Sequence, residues 1–563
     1  MGVMDPKLPE FDLEQWRRKP YHDRVRMMCG HWAEHGFGSP PGAYVFYLLK
    51  MLLYVGGWMF FVSLTPGIGG MGDIGTWWSE PIAFQKAVLW TLLFEVLGIG
   101  GASGPLTARF VPPIGGPLYW LRPGTTRLPP WPRVPLTGGH RRSIVDAALY
   151  LAVLVLGFRA LAGAELSPEV LLPVIVLLAL VGLRDKTIFL AARAEVHWVF
   201  LIVFCFPADV IPGSQVVQVA IWWGAASSKL NHHFAGVITV MISNSPIVRS
   251  KRARRAMYRD FPDDLRASRL AGWIGHGGTA IEYAFPLLLL FGQGGWATTV
   301  GLTVMLCFHL FILLSIPMGV PLEWNVFTMY AGLFLFGAHA EVSPLDISSP
   351  VLVALLVLGL LIGPVLGNLR PSKLSFLPSM RYYAGNWGTS LWLFRDGCQT
   401  RLDDCLTKSA PIVQRQLEKL YDDEITRAAI IGKAQAFRAM HLHGRALNDL
   451  LPRVVDDLER YHVHDGEWIA GVVLGWNFGE GHLHHHQLLE AVQEQCGFEE
   501  GELRVVCVES QPIHAHRHAW RILDAATGLV DEGEIAVADL LESQPWPTPD
   551  GDDHSSRSDE AGP

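Results

Sequence analysis

The stretch AYVFYLLKMLLYVGGWMFFVSLT (Ala43–Thr65) carries one charged residue, Lys50, in an otherwise apolar run. About 20 apolar residues cross the hydrocarbon of a bilayer as a helix, and a helix satisfies its own backbone there. The run is therefore read as a membrane span. Working outward, comparable runs lie near 83–101, 144–164, 169–183, 187–206, 214–230, 271–292, 297–318, 323–339 and 349–367. By length this makes about ten spans. Of 563 residues, 50% are hydrophobic and 17% charged, against about 25% charged in ordinary soluble domains. The formal net charge is -8, which provides no basic field for nucleic acid. The seven cysteines are scattered singly without a CxxC pair, so neither a zinc ribbon nor a disulfide framework is expected.

Lysine and arginine in short loops orient such a bundle. Residues 1–42 are polar and hold Arg17, Arg18, Lys19, Arg24 and Arg26. A cleavable signal peptide places its apolar region earlier than Ala43, so none is expected. Loop 102–143 holds six arginines, the turn at Arg184 and Lys186 is basic, and loop 231–270 is basic from Arg249 to Arg269. Loops 66–82 and 207–213 hold neither residue. The alternation predicts a multi-pass plasma-membrane protein with both termini in the cytoplasm. The basic loop is read first as topogenic charge near anionic membrane lipids. Tyr119, Trp120 and Trp131 suit a membrane interface. GIGGASG (98–104) lacks the strand, the helix and the GK[ST] of a phosphate loop, so tight turning or close helix packing is expected instead.

After Gly367 the composition turns polar. The expected map is an amphipathic interfacial segment at 1–42, a helical membrane domain at 43–367, an aromatic membrane-surface linker at 368–410, a soluble cytoplasmic α/β domain at 411–544, and a disordered tail at 545–563. The fold class is thus an all-α polytopic membrane bundle followed by a small α/β domain. The linker's surface aromatics include Phe376, Tyr382, Tyr383, Trp387, Trp392 and Phe394. Within the domain, 411–460 reads as helical, EWIAGVVLGW (467–476) and ELRVVCVES (502–510) as strands, and HLHHHQLLEAVQEQ (482–495) as a helix. HAWRILDA and GEIAVADLL read as further strands. Histidines crowd this region. His482 with His485 or His486 has the spacing to share a metal, whereas a hydrophilic or charge-switching surface is the simpler reading of the cluster.

Ionisable residues inside spans mark functional candidates. They are Lys50, Glu95, Glu195, His197, Lys229, Glu282, His309 and Glu323. Lys50, Lys229 and Glu323 lie near span ends, and Lys50 is expected to snorkel. Glu95, Glu282 and His309 sit deeper and need partners or a cavity. Lys229 follows small residues in WWGAASSKLNHHF (222–234). Small residues admit a close approach, and a partly desolvated lysine suits a base.

That stretch resembles the transmembrane domain shared by the vitamin K-dependent γ-carboxylase and its bacterial relatives. Further likeness runs through IEYAFPLLLLF (281–291) and MLCFHLFILLSIPMG (305–319), with RDKTIFLAARAEVHW (184–198) upstream, all in the same order. It covers about 185–340. The resemblance implies that Lys229 stands where the family carries its catalytic lysine, which deprotonates a hydroquinone, and that Glu282 and His309 accompany it. The chain has no counterpart of the large lumenal domain of the carboxylase. HWAEHGFGSP (31–40), RYYAGNWGTSLWLF (381–394) and GEWIAGVVLGWNFGEGHLH (466–484) also resemble an actinobacterial family of multi-pass membrane proteins of unknown function.

Three functions compete. One is a membrane-embedded enzyme on a lipid or quinone-like substrate, with Lys229 as base and Glu282 and His309 beside it. The second is a transporter relaying protons through buried Glu and His. The third is a scaffold whose cytoplasmic domain binds a protein partner. No internal repeat supports the transporter. The residues identify no cofactor.

Overall fold

The structure is a computed structural model; it describes residues 3–546 except 102, 191–193, 316–321, 377, 382–383 and 477–479. Tyr382 and Tyr383, the side chain of Glu195, and the tail from 547 onward lie outside the described residues.

The chain is mostly helical. Its larger helices are α1 (Tyr21–His35), α2 (Pro41–Ser63), α3 (Pro81–Val96), α4 (Ile144–Ala162), α5 (Pro168–Arg184), α6 (Ala194–Phe204), α7 (Val210–Ser228), α8 (His233–Asn244), α9 (Arg269–Phe291), α10 (Trp296–Ser315), α11 (Leu322–Gly332) and α12 (Pro350–Leu369). After these come α13 (Glu424–Ala439), α14 (Leu442–Val454), α15 (Gly466–Leu474) and α16 (His486–Cys496). Proline opens α2, α3, α5 and α12, where its missing N–H costs nothing and its φ is already helical. Ser143, Ser268 and Ser349 cap α4, α9 and α12 through their side chains, each accepting from a first-turn N–H.

Five of the helices, α2, α4, α9, α10 and α12, are long and apolar enough to cross a membrane among the described residues. The pair Val196–Phe204 and Pro207–Ser228 is bent by 119° and makes six if it counts as one broken span. About ten were expected; five or six have this length and apolarity among the described residues. The expected spans at 83–101 and 169–183 are helices of 16 and 17 residues. That at 323–339 is α11 followed by a π-helical turn at Leu333–Ala338. Apolar sequence marks burial, whether in lipid or in protein. In α3 nearly every residue from Ala83 to Val96 is buried inside the protein, so its hydrophobicity reports the core rather than lipid.

The C-terminal region carries a five-stranded antiparallel sheet, order β4-β3-β5-β6-β7. Its strands are β3 (Thr389–Arg395), β4 (Tyr461–Asp465), β5 (Leu503–Val508), β6 (Arg517–Asp524) and β7 (Gly528–Ala536). A separate hairpin, β1 (Tyr258–Asp260) and β2 (Asp264–Ala267), precedes α9. In the sheet, Trp392 pairs with His464 on one side and Val505 on the other. β3 therefore lies inside the sheet, within the stretch read as a linker. The strands expected at 502–510 and across HAWRILDA are β5 and β6, while GEIAVADLL divides into the end of β7 and a helix at Val537–Glu542.

EWIAGVVLGW is a helix, α15, contrary to the strand reading. Asp465 caps it by accepting from Glu467 N at 2.8 Å, and Gly475 ends it at φ 85°, the left-handed turn that favours glycine. Every residue of α15 is buried, so no polar face reveals a helical period. The helix expected from His482 starts at His486, after a 3-10 turn at Gly481–Leu483. A disulfide joins Cys405 to Cys496, 91 residues apart.

The aromatics expected on the membrane surface lie inside the protein. Trp387, Trp392, Phe376 and Phe394 are buried. So are Tyr119 and Trp120. Tyr119 Oη donates to Val473 O and Trp120 Nε1 to Leu474 O, and the Trp120 and Trp476 rings meet at 4.1 Å. Trp131 alone of that trio is exposed. The GIGGASG run packs closely, as expected. Gly98 stands at φ 70°, and a Cβ there would lie 3.0 Å from Gly115 Cα.

The N-terminal segment is part of this C-terminal assembly. α1 lies along α13, with Trp32 and Phe437 at 5.6 Å. A Cβ on Gly432 would meet Trp16 at 2.9 Å. The basic loops gather at the same end of the bundle. Arg109 donates to Gly475 O at 3.1 Å, Gln495 reaches Thr126 Oγ1 at 3.4 Å, and Arg259 pairs with Glu542 at 3.1 Å. The loops without Lys or Arg gather at the other end, where Tyr330 Oη donates to Trp78 O and Ser348 N to Asp209.

Candidate functional site

Lys229 is the residue that ends α7, and its aliphatic chain runs back into the bundle. It is 7% exposed and Glu282, on α9, is 3% exposed. Lys229 Nζ donates to Glu282 Oε2 as an ion pair. The ammonium also lies 5.5 Å from the ring centres of both Phe234 and Phe308, within reach of cation–π attraction. The pair is thus roofed by aromatic rings rather than water.

His309, on α10, is 5% exposed. Trp222 Nε1 donates to its Nε2 at 3.0 Å. The ring proton therefore sits on Nδ1 and is donated to Asn325 Oδ1 at 2.8 Å. Both nitrogens are occupied by one neutral tautomer. Phe285 packs on both Trp222 and His309, at 5.0 and 6.3 Å. The three predicted residues thus meet in one interior region. Lys229 and Glu282 touch, while His309 reaches them through the Trp222, Phe285 and Phe308 rings.

The first turn of α11 links this region to a second buried pair. Two residues before Asn325, Glu323 pairs with Lys50 at 3.2 Å. Lys50 Nζ also donates to Gly100 O at 3.1 Å and Ser103 Oγ at 3.2 Å. At 3% exposed, Lys50 does not snorkel, contrary to expectation. Partners within the bundle satisfy its ammonium, so the headgroup region has nothing further to offer it. Glu95 is buried beside this pair and accepts from Gly101 N at 2.9 Å. Lys50 is marked by the sequence but expected there to snorkel, whereas Trp222 and Asn325 escape that reading as site residues. Their only sequence signal is a polar atom within an apolar run.

The histidine cluster is divided: His462, His486, His514 and His516 are exposed, as a surface reading expects, and most of the others are not. His441, His443, His484 and His518 are wholly buried. Burial pushes His441 down to about 3, which keeps it neutral. Of the histidines read as metal candidates, His482 pairs with Glu509 at 2.9 Å, His485 Nε2 donates to Thr389 O at 3.2 Å, and His486 opens α16. Burial lowers His482, but Glu509 beside it overcomes this and raises it. Burial raises Glu509, and His482 holds it well below the usual carboxylate range. They form a charged pair. Among the described residues no group of three or more His, Cys, Asp or Glu is placed to hold a metal ion.

Comparison with curated proteins and with solved structures finds no match. A family model matches residues 1–556, nearly the whole chain. By that match the chain belongs to the family described as "Transmembrane protein of unknown function (DUF3556)".

Proposed function

We propose that this protein is a membrane-embedded enzyme acting on a lipid or quinone-like substrate, with Lys229 as its base. One observation carries the reading: a lysine–glutamate pair enclosed by aromatic rings inside the bundle. To act as a base, Lys229 first passes its proton to Glu282 across their contact. A neutral amine then accepts a proton from an acidic hydroxyl brought beside it. The oxyanion left behind is the counter-charge of the ammonium, and Glu282, still protonated, accepts a hydrogen bond from that ammonium through its carbonyl oxygen. His309 is a positioning residue here, because both of its nitrogens are already bonded. A substrate carried in the membrane suits the lipid-facing surface of α7 and α9. There an apolar groove of about 620 Å³ is lined by Val219, Trp223, Leu290, Phe291, Leu356 and Leu360, among others. The test is lipid mass spectrometry on a strain lacking the gene. Lys229→Met should reproduce the lipid profile of the deletion at normal protein abundance. Full complementation by Lys229→Met would remove the enzyme reading and favour a scaffold.

We further propose a plasma-membrane location with both termini cytoplasmic. Tyr421 Oη donates to Met4 O at 2.8 Å, so the two ends of the chain share one side and the crossings are even in number. The basic loops crowd that side, as the positive-inside rule requires of the cytoplasmic face. Reporter fusions at residue 20 and after residue 540 should both report cytoplasm. The placement also requires Cys405 and Cys496 to be thiols in the cell, since the cytosol keeps such pairs reduced. A bridge found intact after alkylation at lysis, or a periplasmic reporter at either end, would reverse the orientation.

A further inference from the structure

His233 is the first residue of α8, one turn beyond Lys229, and His518 lies in β6. Their Nε2 atoms meet at 2.8 Å, linking the membrane bundle to the sheet across 285 residues of chain. Both rings are buried, at 1% and 0% exposed. The remaining hydrogen bonds determine where the protons are. His518 Nδ1 lies 2.7 Å from the backbone carbonyl of Glu509. A carbonyl only accepts, so that nitrogen carries a hydrogen. His233 Nδ1 lies 3.1 Å from Asn231 Oδ1. The orientation of the Asn231 amide is fixed twice over: its Oδ1 accepts from His233 N at 2.8 Å, and its Nδ2 donates to Ser228 O. His233 Nδ1 therefore also carries a hydrogen. With both Nδ1 atoms as donors, two neutral rings would place bare lone pairs against each other at 2.8 Å, where they repel.

We infer that His233 and His518 share one proton between their Nε2 atoms, and that this proton clamps the C-terminal sheet to the membrane bundle. The two rings then hold three N–H hydrogens and one positive charge. The charge is expensive where it sits. Burial pushes both histidines below their ordinary value, and the N-terminus of a helix disfavours a cation. Against both, the proton is held because the two Nε2 lone pairs 2.8 Å apart bond it from either side and repel without it. The groups facing the pair are few. Lys229 and His232 lie on the turn before α8. His441 and His443 approach from the start of α14, the latter bonded to Arg438 on α13 at 3.1 Å. Glu509, following β5, is the nearby carboxylate, and His482 shares it. The clamp is correspondingly sensitive to pH.

Separated and exposed, each histidine titrates near ~6.5. Above that value the separated rings are neutral, so docking takes up one proton and weakens as pH rises. Well below it each separated ring holds its own proton, so docking releases one and weakens as pH falls. Docking is therefore strongest near the ordinary histidine value and falls on either side, by at most about tenfold per pH unit for one proton.

The experiment is hydrogen–deuterium exchange on the full chain in nanodiscs from pH 5 to 9, corrected for intrinsic rates. Protection of β6 and of the first turn of α8 should peak near pH 6–6.5 and drop at least tenfold by pH 9. His233→Gln supplies an amide N–H to His518 Nε2 without an extra proton, and it should stay protected with a flat profile. His518→Gln makes the same test from the other side if that variant fails to assemble. A flat wild-type profile would overturn the clamp. So would a wild-type-shaped profile in whichever glutamine variant assembles, since the other buried histidines would then be its source.

Discussion

Glu282→Leu is expected to destabilise the bundle by about 3–5 kcal/mol, because it leaves the Lys229 ammonium buried without its carboxylate. Adding Lys229→Met should restore most of that loss. The pair is then replaced by apolar side chains in a region already walled by Phe234, Phe285 and Phe308. Thermal unfolding of the detergent-solubilised protein measures both variants. Lys229→Met alone should cost less than Glu282→Leu, since a lone buried carboxyl can take a proton and become neutral. If the single and double variants melt together, the two side chains are not coupled as the ion pair requires. The measurement also separates structure from chemistry: a double variant as stable as wild type but unable to restore the lipid profile keeps the catalytic reading alive.

Arg438→Met should cost as much or more, again about 3–5 kcal/mol. Arg438 is buried at the centre of the C-terminal core. It bonds Asp465 through Nε at 2.7 Å and through Nη2 at 3.2 Å, and Glu467 at 3.2 Å. Removing it strands two carboxylates at the cap of α15. The loss should depend on pH in a definite direction. Burial already raises Glu467 above its ordinary value, and without the guanidinium it rises further. The folded variant then holds a proton that the unfolded chain releases near ~4.3. Stability falls as pH climbs from there through the folded value. The variant should melt higher at pH 5 than at pH 8, relative to wild type at each pH. An equal deficit at both would mean that the two carboxylates find other partners.

Much of this was legible in sequence for a plain reason: a charge inside an apolar run is expensive wherever the run ends up. That cost marked eight residues. The resemblance to the carboxylase transmembrane domain picked Lys229, Glu282 and His309 from among them, and the structure gathers these three in one region. The same reasoning failed where it assumed that apolar means lipid. α3 and α11 are helices of the protein interior, and Lys50 is held by Glu323 rather than drawn to the headgroups. EWIAGVVLGW misled because a segment buried on all sides has no period to read. The histidines misled for another reason. Their partners are remote in sequence, as with His233 and His518, and composition carries no information about such pairings. β5 and β6 could be read because short, strongly β-forming runs between turns depend on local signals alone.

The docking of the N-terminal segment onto α13 has a consequence for how the protein is made. Met4 and Tyr421, which bond in the finished molecule, are 417 residues apart. A ribosome adding ~5–20 residues per second needs on the order of 20–80 s to cover that distance. For that interval α1 has emerged with Trp16, Met28 and Trp32 uncovered, while the spans behind it are still being inserted. Assembly must therefore close over the N-terminal segment only after α13 has been made.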